Sequence, residues 1–156
     1  MRDVMAVLST EVAAATANSC LSYYMGALRD GTFSPRHRTW RLSQKSRAWL
    51  LVVQLVLERL DAHGWIYREG YDRSVWVLET CFRPSHNRPA RWQANDDDAA
   101  FIRGYFDAEG GIPRQVSARF YLQLAQKNRE DLEDLRERIA GSGTDVWANS
   151  RAERDS

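Results

Sequence analysis

The chain has 156 residues, 44% of them hydrophobic and 28% charged, with a formal net charge of +1. That balance is globular and argues against wholesale disorder, and the length holds one ordinary domain or two very small ones. No run of eighteen apolar residues occurs, and Asp3 and Glu11 interrupt the apolar N-terminal patches, so neither a transmembrane helix nor a secretory leader is expected. Two cysteines, Cys20 and Cys81, make no disulfide framework and suit a reducing cytoplasm. His37, His63 and His86 are scattered without zinc-ligand spacing.

Charge is unevenly distributed. Between positions 29 and 47 stand Arg29, Arg36, Arg38, Arg41, Lys45 and Arg47 against a single acid, Asp30, and Arg83, Arg88 and Arg91 follow later. Acids gather at Asp96 to Asp98 and from Glu130 to Glu137. A basic face on a near-neutral protein is the footprint of a phosphate-binding surface; the competing reading is a solvated strand face.

In chain order, the first clear element is an apolar helix with a glycine inside it, Tyr24-Met25-Gly26-Ala27-Leu28-Arg29-Asp30, closed by Gly31. A glycine there suits the left-handed turn that ends many helices. Alternation predicts a strand over 39–43. Gln44-Lys45-Ser46-Arg47 leads into a helix over 48–60, with Ser46 placed to cap it. Strands are expected over 65–68 and 74–78, joined by a turn at Glu69-Gly70-Tyr71-Asp72. Residues 83–97 read as a proline-containing basic linker, and Asp96 to Asp98 are N-cap candidates for the helix that follows. A second glycine-bearing helix follows, Ile102-Arg103-Gly104-Tyr105-Phe106-Asp107-Ala108-Glu109-Gly110. Gly104 and Ala108, four apart, lie on one face and permit close helix approach. A strand over 117–126 ends in Gln126-Lys127-Asn128-Arg129, matching 44–47, and a helix over 130–139 begins behind an Asn128 cap. The chain is therefore a repeat, with a first unit over 1–82, a linker, and a second unit over 98–156. Trp40, Trp49, Trp65 and Trp76 are expected in the core between sheet and helices.

Residues 102–110 resemble the signature of the LAGLIDADG homing endonucleases, with glutamate at the last acidic position. The Gln-Lys repeat strengthens the resemblance, which spans about 18–140. It implies an α+β fold of tandem αββαββ units: a saddle of antiparallel β-ribbons over two packed central helices. It also implies metal-dependent cleavage of double-stranded DNA, with Glu109 and Asp30 as ligands of Mg2+ or Mn2+. Lys45 and Lys127 then sit near the catalytic centre or the DNA backbone. Arg36, Arg38, Thr39 and Arg41 in the first unit, and Arg114, Arg119, Tyr121 and Gln123 in the second, are the candidate DNA-contacting side chains. Asp107 is expected to be structural, because at two residues before Glu109 it points away from it.

The sequence departs from the family pattern twice. Five residues before Asp30 stands Met25, and the glycine, Gly26, is only four back, which predicts a looser or displaced helix crossing in the first unit. After residue 139 the sequence is poor in apolar alternation, so the second unit is expected to be incomplete, with a companion chain or dimer completing it. A DNA-binding remnant or regulator without cleavage activity, and an RNA-binding intron maturase, are the alternatives that the same fold allows.

Overall fold

The computed structural model describes residues 10–70, 74–84, 96–111, 122–124 and 129–141. Most of the linker, Arg114, Arg119, Tyr121, Gln126, Lys127, Asn128 and the segment beyond Gly141 lie outside these residues. The elements are α1 (Ala17–Ala27), a 3-10 turn (Leu28–Asp30), β1 (Thr32–Ser34), β2 (Thr39–Gln44), α2 (Arg47–Arg59), β3 (Gly64–Glu69), β4 (Val75–Thr80), α3 (Asp96–Glu109), β5 (Gly110–Gly111), β6 (Gln123–Leu124) and α4 (Arg129–Gly141). Among the described residues, no helix is long and apolar enough to cross a membrane.

The first unit contributes four strands and helices α1 and α2 to the described residues. Its sheet is antiparallel, in the order β1-β2-β4-β3. Leu42 stands opposite Leu78 and Leu78 opposite Ile66, and this apolar face packs on Leu50, Val53, Val56 and Leu57 of α2 and on Cys20, Tyr23 and Tyr24 of α1. The i, i+3, i+7 spacing of Leu50, Val53 and Leu57 produces that helix stripe. Thr80 is wholly buried at the sheet end; its hydroxyl donates to the His63 carbonyl at 2.6 Å and accepts from the Phe82 amide at 3.1 Å, which removes the cost of burying it. In the second unit, β5 and β6 pair Gly110 with Leu124 and Gly111 with Gln123, and Phe101, Tyr105 and Leu135 form a smaller core between α3 and α4.

Helices α1 and α3 cross at contact distance. A Cβ on Gly26 would lie 2.1 Å from the Phe101 carbonyl oxygen, and one on Gly104 would lie 2.0 Å from that of Tyr23. The crossing is thus equally close from both sides, and the expectation of a looser first unit is corrected. The 3-10 turn explains why. It rises about 2.0 Å per residue against about 1.5 Å in an α-helix, so the four steps from Gly26 to Asp30 cover about the same 7.5 Å as the five from Gly104 to Glu109.

Three local expectations are also corrected. Gly31 closes the first helix in extended rather than left-handed backbone (φ −81°, ψ 145°), because the helix has already tightened into a 3-10 turn. Ser46 occupies the cap position of α2 without accepting a hydrogen bond through its side chain. Asp96 to Asp98 lie inside α3 rather than before it, and Asp98 is drawn inward by Arg138 at 2.7 Å. Of the four tryptophans, Trp49 and Trp76 pack against the core, Trp40 packs beside Phe33, and Trp65 is 39% exposed on the far face of the sheet.

Two substitutions probe this packing. Gly104→Ala is expected to destabilise by about 3 kcal/mol, since the obstruction is backbone and cannot rotate away; chemical denaturation measures it. Tyr24 is fully buried and its hydroxyl has no hydrogen-bond partner, so Tyr24→Phe is expected to raise stability by about 1 kcal/mol in the same assay.

Candidate active site

The close crossing delivers one acid from each unit to one place. Asp30 ends the 3-10 turn and Glu109 ends α3, and their carboxyl groups are in hydrogen-bonding contact. Burial, then the hydrogen bond to Asp30, then the charge of Asp30 push the Glu109 carboxyl up to about 7. Two carboxylates this close repel one another when no cation lies between them, which is why the Glu109 carboxyl holds its proton to a higher pH than an isolated glutamate.

A third side chain holds the pair. Gln44, at the end of β2, donates from Nε2 to Asp30 Oδ2 at 2.9 Å and to the Ala108 carbonyl at 3.3 Å. One amide therefore links the acid of the first unit to the helix of the second. Gln44 was legible as part of the Gln-Lys repeat, but nothing in that pattern separates it from its exposed neighbour Lys45. Asp107 does not join the acids. It accepts a hydrogen bond from the Tyr23 hydroxyl at 2.7 Å, and that hydroxyl accepts from Trp49 Nε1 at 3.2 Å. Burial and the Asp107 charge raise the Tyr23 phenol above its ordinary range, so it remains a neutral donor.

Of the helix-interface candidates, Gly26 and Gly104 lie at the crossing of α1 and α3, while Ala108 contributes its carbonyl to Gln44. Arg36 and Arg38 are exposed in the β1–β2 turn, where Arg38 takes a left-handed φ of 56°. Gln123 is exposed on β6. Thr39 is buried, and its hydroxyl donates to Glu79 at 2.5 Å. Arg41 donates to Glu69 at 2.7 Å and to the Tyr67 hydroxyl at 3.3 Å, and Tyr67 donates to Glu79 at 3.0 Å. Burial alone would raise Glu79, but these hydroxyl donors and the Arg41 charge outweigh it and hold the carboxyl below its usual range. Thr39 and Arg41 thus belong to a polar network on the sheet face away from the helices, beside Trp65, a network that strand alternation could not foretell.

The Glu109 shift has a signed consequence. Its folded value lies above the unfolded one, so its contribution to stability is present below about pH 4.5 and is lost as pH rises through about 7. Thermal melts between pH 4.5 and 8 are expected to show this downward slope in the parent and a flatter one in Glu109→Gln.

Residues 96–143 match the model of the LAGLIDADG-like domain. No curated protein matches the sequence. Two solved structures share the fold. The N-terminal LAGLIDADG domain of DUF199/WhiA superposes with a TM-score of 0.68 at 15% identity, covering 85% of this chain and 70% of that one. Full-length DUF199/WhiA from Thermatoga maritima gives 0.65 at 15% identity, covering 85% of this chain and 48% of that one. With the helix crossing, the paired acids and the antiparallel ribbon in place, the chain has the fold of a LAGLIDADG domain, and its residues 96–143 match the LAGLIDADG-like domain model.

Proposed function

We propose that the chain is a site-specific double-stranded DNA endonuclease of the homing type, hydrolysing phosphodiester bonds with Mg2+ or Mn2+. The observation that carries this reading is the contact between Asp30 and Glu109, one acid from each unit, at the ends of the crossing helices. Both donors are hard carboxylate oxygens, and among the described residues no group of three or more His, Cys, Asp or Glu side chains assembles a closed metal cage. That set fits Mg2+, which takes one or two carboxylates, keeps several waters and completes its shell with substrate phosphates. When bound, such an ion activates water and offsets charge on the phosphate.

The chain's own residues do the rest. Asp30 and Glu109 hold the ion, and Glu109 must release its proton to do so, so affinity rises with pH through about 7. Gln44 orients the Asp30 carboxylate. Lys45, exposed just past β2, contacts a DNA phosphate in this reading, and the exposed Arg36 and Arg38 extend the cationic surface. Arg41, prearranged by Glu69 and Tyr67, presents a guanidinium from the open strand face, the geometry suited to guanine edges in a major groove. By position in the repeat, Lys127, Arg114, Arg119, Tyr121 and Gln123 have the same tasks in the second unit.

One observation favours a second reading, a DNA-binding protein of this fold without cleavage activity: the Gln44 amide already occupies Asp30 Oδ2, an oxygen a metal would want. Incubation with a randomised double-stranded DNA library and Mg2+ separates the two. The nuclease reading expects cutting at a defined long site, abolished in Glu109→Gln, with DNA affinity kept within about tenfold because phosphate and base contacts lie elsewhere. Salt-sensitive binding without cutting by the parent would support the second reading or point to a companion chain.

A further inference from the structure

Around the helix crossing, the two units grip one another through a pair of contacts related by the internal repeat. Arg29 lies three residues after Gly26, and Asp107 three residues after Gly104. Each reaches across to the opposite helix at the ring three residues before its glycine. Arg29 lies over Phe101 at 5.7 Å, and Asp107 accepts from Tyr23 at 2.7 Å. Each contact continues to the third residue of the helix that follows. Arg29 pairs with Asp131 of α4, and Tyr23 accepts from Trp49 of α2 at 3.2 Å. The positions match one for one, but the chemistry is inverted: a cation, an apolar ring and a carboxylate on one side; a carboxylate, a phenol and an indole on the other.

We propose that Arg29 and Asp107 are positioning residues, forming two reciprocal clamps that fix the rotation of each helix end and so force Asp30 and Glu109 into contact. Arg29 immediately precedes Asp30, and Asp107 is two residues before Glu109, so a clamp at either position restrains the backbone that carries the acid. The Arg29 clamp is reinforced at its ring: Arg138 covers Phe101 at 4.6 Å and pairs with Asp98 and Asp134 of the same unit. A glycine crossing sets how near the two helices come but leaves each free to turn about its axis. The clamps supply that missing restraint. Because the two are chemically unlike, Arg29 finds its carboxylate only in the second unit and Asp107 its phenol only in the first, which ties the acid geometry to this pairing of units.

The inference rests on reading Asp30 and Glu109 as one functional pair, and its test does not need metal. In the full chain at pH 8 without divalent cation, Glu109→Gln relieves the enforced repulsion and is expected to raise Tm by about 3 °C. The same substitution is then made in Tyr23→Phe and in Asp131→Asn, which each break one clamp, and in Tyr24→Phe, which removes a neighbouring buried hydroxyl outside both. The gain should fall to less than half in each clamp variant and persist in Tyr24→Phe. A full gain in either clamp variant, or no gain in the parent, overturns the proposal. Mn2+ titration of the parent and Glu109→Gln reads the metal assignment separately: a lost clamp effect with Glu109-dependent Mn2+ binding refutes the clamps alone, whereas the expected coupling with no such binding supports the clamps and refutes the metal assignment.

Discussion

The backbone contact between α1 and α3 at Gly26 and Gly104 is the constraint on which the rest of the structure depends. Any side chain at either position would meet a carbonyl at about 2 Å, so the two helices can approach this closely only where both Cβ atoms are missing. The approach brings the helix ends together, and both ends carry an acid. Holding two half-buried carboxylates side by side costs free energy that packing elsewhere must offset. The sheet of the first unit and its helix α2 supply that packing through an apolar interface of leucine, valine and tyrosine side chains. A well-packed half therefore supports a point where two acids meet and one carboxyl is raised, the arrangement expected of a functional site.

The units divide their work unequally. The first carries a four-stranded sheet with a filled core, and its outer face bears the Thr39, Arg41, Tyr67, Glu69 and Glu79 network. Internal pairing of that kind lowers side-chain entropy before any ligand arrives, which favours selective over merely electrostatic contact. In the second unit, α3 and α4 are bound by the buried Arg138 and Asp98 pair and by Phe101 beneath two guanidiniums. Such a buried pair contributes little net stability, because its desolvation cost offsets most of its attraction.

Much of this was legible in the sequence because the signals were periodic or chemically narrow. Apolar spacing located α2 and the strands around Leu42, Ile66 and Leu78, and the Gly104 to Glu109 motif indicated both a close helix crossing and an acid at its end. What was not legible depended on geometry beyond local pattern. The one-residue shortfall before Asp30 looked like a defect until the 3-10 turn restored the rise. Asp96 to Asp98 resembled caps because acids near a helix start favour its dipole, but a distant arginine, Arg138, decided where Asp98 would sit. Alternation placed Thr39 and Arg41 on the correct face without revealing that Glu79 and Glu69, far along the chain, would hold them. Gln44 stood in plain view in the repeat, and only the folded structure shows it bridging Asp30 and the Ala108 carbonyl.

The central claim is that the helix crossing holds Glu109 against Asp30 and so raises the Glu109 carboxyl. The most direct test is a carbon-detected NMR titration of the Glu109 side-chain carboxyl in the metal-free protein. A midpoint near 7 that returns toward the ordinary carboxylate range in Asp30→Asn is the result expected from this geometry. An ordinary carboxylate midpoint in the parent, unchanged by Asp30→Asn, would contradict it.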